Sequence, residues 1–130
     1  MISIRPCWVR KIVSGEKTYE FRRRPPFLDH HVEAFIYESR PVQAIRWKCR
    51  IGPTVSAPPI KLWGICADQS GMQRETFDAY FDGCETAHAL EVSSVTALGR
   101  PLAFDELQEK FDIRPPQSWR RIPEALSAQW

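Results

Sequence analysis

Lys17, Glu20 and Arg22 fall within the run SGEKTYEFRRRPP, residues 14–26, which mixes acid, base and aromatic at strand-like spacing. A lysine just past a helix C-terminus feels the negative end of the helix dipole, which favours its charged form. Burial in a cleft pushes the other way and can turn it into a nucleophile or base. Glu20 can shuttle a proton, or it can pair with Arg22 two positions along the same strand face. Alternation over residues 17–24 places Thr18, Glu20, Arg22 and Arg24 on one face and Tyr19 and Phe21 on the other. Arg22 and Arg24 can therefore reach phosphate together, giving salt-dependent binding that ignores sequence. The plainer alternative is a solvated, charged strand face.

Other residues offer chemistry of the same kind. Arg46, Lys48 and Arg50 share one face of the stretch 42–51. Trp8, Tyr19, Tyr37, Trp47 and Trp119 could each stack on an unpaired base if they reach the surface. Gln117 and Ser118 carry an amide and a hydroxyl suited to a base edge, and Arg120 beside them is a further phosphate candidate. His30, His31 and His88 have no partners at metal-ligand spacing, and Cys7, Cys49, Cys66 and Cys84 form no C-x-x-C pair. The cysteines read as reduced and mostly buried, and no metal site is expected.

The elements that must position these groups can be read in outline. Pro6 suits a first helical turn, Trp8, Val9, Ile12 and Val13 share a face, and Gly15 is a natural stop. Strands are expected at 17–24, 32–39, 42–51 and 60–67, with a loop over 52–59. RETFDAYFDG reads as an amphipathic helix with Phe77, Tyr80 and Phe81 inward, and residues 85–98 return to strand. FDELQEKF reads as a further helix, and RPPQSWRRI as extended chain, because the residue before a proline avoids the helical region. Short strands in a run, with helices between, point to an α+β fold: a small β-barrel of five to six mostly antiparallel strands flanked by short helices.

Size fits this outline. The 130 residues suffice for a single domain over 1–130, with 123–130 as a C-terminal tail. No apolar run approaches the roughly 20 residues of a membrane span, and no secretory signal opens the chain, so a soluble, cytoplasmic protein with no membrane partner is expected. The net charge of +2 hides an asymmetry: residues 1–65 carry 12 basic against 5 acidic side chains, the remainder 6 against 11. A basic half attracts polyanions locally.

The ordered blocks SIRP, KIVSGEKTYEFRRR, IYESRPV, FDAYFDG and RPPQSW resemble the ASCH domain (activating signal cointegrator homology), a branch of the PUA-like barrels, over residues 2–122. Its most specific piece is G-x-K-x-x-E-x-R, here Gly15, Lys17, Glu20 and Arg22. The resemblance implies a cleft beside the first helix and the motif strand, and RNA or a modified nucleoside or nucleotide as ligand, with no cofactor. Lys17, Glu20 and Arg22 would form the floor, Arg24 and Arg120 would meet phosphate, and Tyr37, Gln117 and Ser118 would complete the binding set. It also implies an alternative: a small hydrolase acting on RNA or nucleosides, either an N4-acylcytidine amidohydrolase or a metal-independent ribonuclease. In the amidohydrolases the lysine corresponds to Lys17, but the threonine three residues later falls on Glu20, leaving Thr18 as the nearest hydroxyl. The third strand also departs, since Trp47-Lys48 and then Arg50 stand where the family often has a Gly-Glu pair followed by another acid.

Overall fold

The computed structural model describes residues 1–130. Five strands form one mixed sheet in the order β1-β3-β4-β5-β2: β1 (Ile2–Ile4), β2 (Tyr19–Arg22), β3 (Val32–Glu38), β4 (Ala44–Ala57) and β5 (Ala87–Ala103). Three of the pairings are antiparallel, while β1 runs parallel to β3 with Ile4 opposite Glu38. The helices are α1 (Pro6–Ser14), α2 (Pro59–Cys66), α3 (Arg74–Tyr80), α4 (Phe104–Phe111) and α5 (Glu124–Ser127). The α+β class expected from the sequence is the one observed.

The long strands β4 and β5 slip register three times, and each irregularity bends and twists the pair. The sheet curls, but it does not close. No ladder joins β1 to β2, so the expected barrel is open along one seam. The seam is laced by other means. Ser3 N–H donates to the Ser118 carbonyl at 2.9 Å, Arg120 N–H donates to the Met1 carbonyl at 2.9 Å, and Ile2 bridges Trp119.

Three core clusters hold the sheet. Alternation along β3 sends Ala34 and Ile36 to the cluster under α1, with Val9 and Ile12, and sends Phe35 and Tyr37 to the other face, with Ile45, Leu102 and Leu107. A strand covered on both faces reads as a continuous apolar run, as residues 34–37 do. The third cluster packs Phe21 against Phe77 and Phe81 edge to face, at 5.0 and 6.0 Å between ring centroids. It fastens β2 to α3 (and so fixes where the motif strand lies).

Two further expectations are corrected. Residues 60–67 are not a strand: Pro59 opens α2, and Leu62 and Cys66, four apart, are the fully buried pair. A short apolar run does not by itself distinguish helix from strand. Residues 52–57 are not a loop but the continuation of β4 past a bulge at Gly52, whose φ of +103° and close approach to the His30 carbonyl admit no side chain. β1 was not anticipated, because three residues show no period. In the C-terminal eight residues Leu126 is fully buried and the Trp130 ring lies 4.7 Å from that of Phe35.

Candidate functional site

Gly15, at φ +84°, ends α1 and donates its N–H to the Ile12 carbonyl, turning the chain back so that Lys17 N–H reaches the Lys11 carbonyl at 3.0 Å. The Lys17 side chain then runs inward and is only 1% exposed, an unusual place for lysine. Its Nζ donates to the Ser70 carbonyl at 2.7 Å and lies 5.3 and 4.8 Å from the ring centroids of Trp8 and Phe21. The turn that receives it is itself fixed. Ser70 is wholly buried, its Oγ donating to the Ala67 carbonyl at 2.8 Å, and the Gly71 carbonyl accepts from Lys11 Nζ at 2.6 Å. A Cβ on Gly71 would sit 2.8 Å from Lys17 Cβ, so the turn lies flat on the lysine stem.

Glu20 and Arg22 follow on β2. Arg22 spans the open seam: one guanidinium nitrogen donates to the Ser3 carbonyl on β1 at 2.6 Å, the other to Ser118 Oγ at 3.2 Å. Its Nε stands 3.6 Å from Glu20 Oε1, with both side chains about nine-tenths buried. Glu20 Oε2 and Arg22 Nε are buried without a hydrogen-bond partner. A buried polar atom left unpartnered costs about 1–3 kcal/mol, more for a charged group, so native proteins seldom tolerate one without a use.

These groups line a cavity of about 370 Å³ at the seam, walled by Ser3 and Arg5 from β1 and its end, by Trp8 from α1, by Thr76 and Tyr80 from α3, and by Gln117. Tyr80 is held at the rim, its hydroxyl accepting Arg23 N–H at 3.3 Å and its ring lying under the Arg23 guanidinium. Burial pushes the Lys17 ammonium below its ordinary pKa, while the Glu20 carboxylate opposes that shift. With Lys17 and Arg22 against Glu20, the floor carries a net positive charge in a sheltered place. Its chemistry suits a guest that is both anionic and a hydrogen-bond donor.

Of the nine residues expected at the site, Lys17, Glu20, Arg22 and Gln117 line the cavity. Ser118 is behind it, holding Arg22. The other four lie elsewhere. Thr18 precedes β2; its N–H bonds the Gln69 carbonyl and its carbonyl bonds Val92 N–H, so strand parity does not govern its side chain. Arg24 is exposed beyond the strand end, where its carbonyl accepts Trp119 Nε1–H at 3.0 Å. Tyr37 is a core residue on the far face of β3. Arg120 is spent on the Arg121 and Arg114 carbonyls.

Sequence reasoning missed Arg5, Ser39, Met72 and Thr76, which reach the cavity only through tertiary packing. Tyr80 was assigned to the apolar face of α3, and nothing in the helical period separates a rim tyrosine from a core one. Two thiols are removed from consideration as nucleophiles: burial pushes Cys49 up to about 12 and Cys66 up to about 11, so both stay protonated at neutral pH. No helix is long and apolar enough to cross a membrane.

No known family model matches the chain. It is 32% identical over 127 residues to an ASCH domain-containing ribonuclease of Zymomonas mobilis subsp. mobilis, an alignment covering 95% of this chain and 85% of that protein. It also superposes on the crystal structure of ASCH from Zymomonas mobilis with a TM-score of 0.89 at 29% identity, covering 98% of this chain and 90% of that one. A point mutant of the same protein gives the same TM-score and identity, with 98% and 92% covered.

Proposed function

The chain belongs to the ASCH domain family, and we propose that its seam cavity binds single-stranded RNA and cleaves the phosphodiester backbone there. The observation that carries this reading is Glu20: a buried carboxylate with one oxygen unpartnered, set between Lys17 and Arg22 on the wall of a nucleotide-sized cavity. The ribonuclease name of a relative 32% identical over almost the whole chain supports the choice of RNA over other phosphate-bearing guests.

In this reading the nucleotide phosphate lies against the positive side of the floor, and the ribose 2′-hydroxyl donates to Glu20. The 2′-oxygen attacks the adjacent phosphorus as Glu20 takes its proton, and the bond to the next nucleotide's 5′-oxygen breaks. Water protonates that leaving oxygen, and the hydroxide left behind reclaims the proton from Glu20. The products are a 2′,3′-cyclic phosphate and a free 5′-hydroxyl. Arg22 meets the charge that builds on the non-bridging oxygens, and Lys17 adds to it from a fixed position. Pinned charges need no rearrangement as the reaction proceeds, which is what the buried lysine and the clamped arginine supply. Thr18, off the cavity wall, has no part in it. The amidohydrolase alternative lacks support, because the residue in its nucleophile position is this same carboxylate.

Labelled single-stranded RNA incubated with the protein tests the proposal. Wild type is expected to yield cyclic-phosphate ends, and Glu20→Gln to slow cleavage by about 100-fold, the lower end for a lost proton-transfer group. Cleavage of fully 2′-fluoro RNA at the normal rate would rule out the mechanism, and a wild-type protein that neither cuts nor binds RNA would end the reading.

A further inference from the structure

Beside the seam cavity lies a second, shallower hollow of about 560 Å³, lined by Arg5, Arg10 and Arg40 together with Cys7, Ser39 and two prolines. It contains no acidic residue. Arg5 and Ser39 belong to both walls, so the hollow opens directly from the cavity. All three arginines are exposed. None takes part in an ion pair, unlike Arg22, Arg46, Arg74 and Arg100, each of which has a carboxylate partner. None donates a side-chain hydrogen bond within the protein either.

The fold brings them together. β1 and β3 run parallel with Ile4 opposite Glu38, so both strands deliver their next residues to the same end of the sheet. Ser39 N–H donates to the Ile4 carbonyl at 3.0 Å and locks Arg5 beside Ser39 and Arg40. Arg10 joins them from α1. That helix begins at the edge of the hollow with no acidic residue in its first turn and no side-chain cap, so its own sequence supplies no anion there.

We propose that the Arg5–Arg10–Arg40 hollow carries the phosphates that flank the nucleotide held in the cavity, so that the preferred ligand is an oligonucleotide strand and not a free nucleotide. This inference rests on the RNA reading above and adds the strand's path to it. Exposed arginines without internal partners make contacts that position a backbone without reading bases, and each such contact releases counterions. Specificity for a base, if the protein has any, must then come from the cavity.

The test measures affinity as a function of salt for two uncleavable 2′-fluoro ligands, a dinucleotide and a strand of about eight nucleotides, a length typical of a single-strand site. Wild type is expected to bind the longer strand more tightly. In Arg10→Ala/Arg40→Ala the log–log salt slope for the longer strand should become shallower by about 1.4, corresponding to two lost contacts at about 0.7 each, with dinucleotide binding unchanged. Arg46→Ala/Lys48→Ala removes the same charge from another face and should leave the slope as it was. Equal binding of the two ligands by wild type, or an unchanged slope in the Arg10/Arg40 variant, overturns the inference while leaving the cavity reading intact. A wild-type protein that binds neither ligand overturns both.

Discussion

On β2, Arg22 stands 3.6 Å from Glu20; on β4, Arg46 stands 3.5 Å from Glu38 and Lys48 stands 3.7 Å from Glu33. The separations are nearly equal, and so is the pattern of charge at every second residue. The surroundings differ. The Arg22 and Glu20 side chains are 11% and 9% exposed, whereas Arg46 and Lys48 are 46% and 37% exposed, although Glu38, the partner of Arg46, is buried and accepts Trp47 Nε1–H at 2.7 Å. Water and salt screen the β4 cations, and interaction strength scales inversely with the effective dielectric constant. On β2 the protein has removed the water and supplied fixed partners instead: the Ser3 carbonyl and the Ser118 hydroxyl for Arg22, and a buried carbonyl for Lys17. Alternating charge thus floors a sheltered cavity on one strand and presents exposed cations on the other, and burial of the cations makes the difference.

The sharpest way to break this contrast is Arg22→Ala. It removes the bonds to Ser3 and Ser118 that lace the seam and leaves Glu20 buried beside one cation fewer. Loss of one partner of a buried pair costs about 3 kcal/mol or more, and urea unfolding should register it. Gly71→Ala comes next. Its Cβ would press on the Lys17 stem in a backbone conformation, φ +66°, that alanine resists, so a loss of about 1–2 kcal/mol is expected.

The buried Lys17 gives a pH signature of its own. Its folded-state pKa lies below its unfolded value, so between the two the unfolded chain binds more protons and stability rises with pH. The penalty for burying the ammonium is fully present below the folded pKa and is relieved as pH climbs toward 10.5. Wild type should therefore gain stability relative to Lys17→Met across that alkaline window, as followed by denaturant unfolding at each pH. The smallest effect belongs to Lys48→Ala, whose partner Glu33 is itself exposed; it is expected within about 0.5 kcal/mol of wild type and without effect on RNA cleavage.

Much of this site can be read from residues 14–22 alone, because its first determinants are local. Gly15 ends a helix, and a two-residue period places Glu20 and Arg22 together. What cannot be read is the purpose of each group. Arg22 reaches Ser3 and Ser118, 19 and 96 residues away in sequence, and no local period encodes either contact. Thr18 fails because strand parity applies only within a strand, and β2 begins one residue later. Tyr37 fails because β3 is covered on both faces, so alternation sorts its side chains between two cores and none between core and solvent. The arginines of the second hollow are five and thirty residues apart, and only the parallel pairing of a three-residue strand brings them to one place. The helical stretch 59–66 was hidden by its own hydrophobicity, with Ile60 79% exposed and Leu62 fully buried in a run that shows neither period cleanly.

The central claim is that RNA enters at the buried charges of β2 and leaves the exposed charges of β4 untouched. Titrating an uncleavable 2′-fluoro dinucleotide into isotope-labelled protein and mapping the backbone amide shifts tests it directly. The shifts are expected to gather on Lys17, Glu20, Arg22, Tyr80 and Gln117 and to be absent from Arg46, Lys48 and Arg50. Shifts confined to the β4 residues, with the seam silent, would contradict the account.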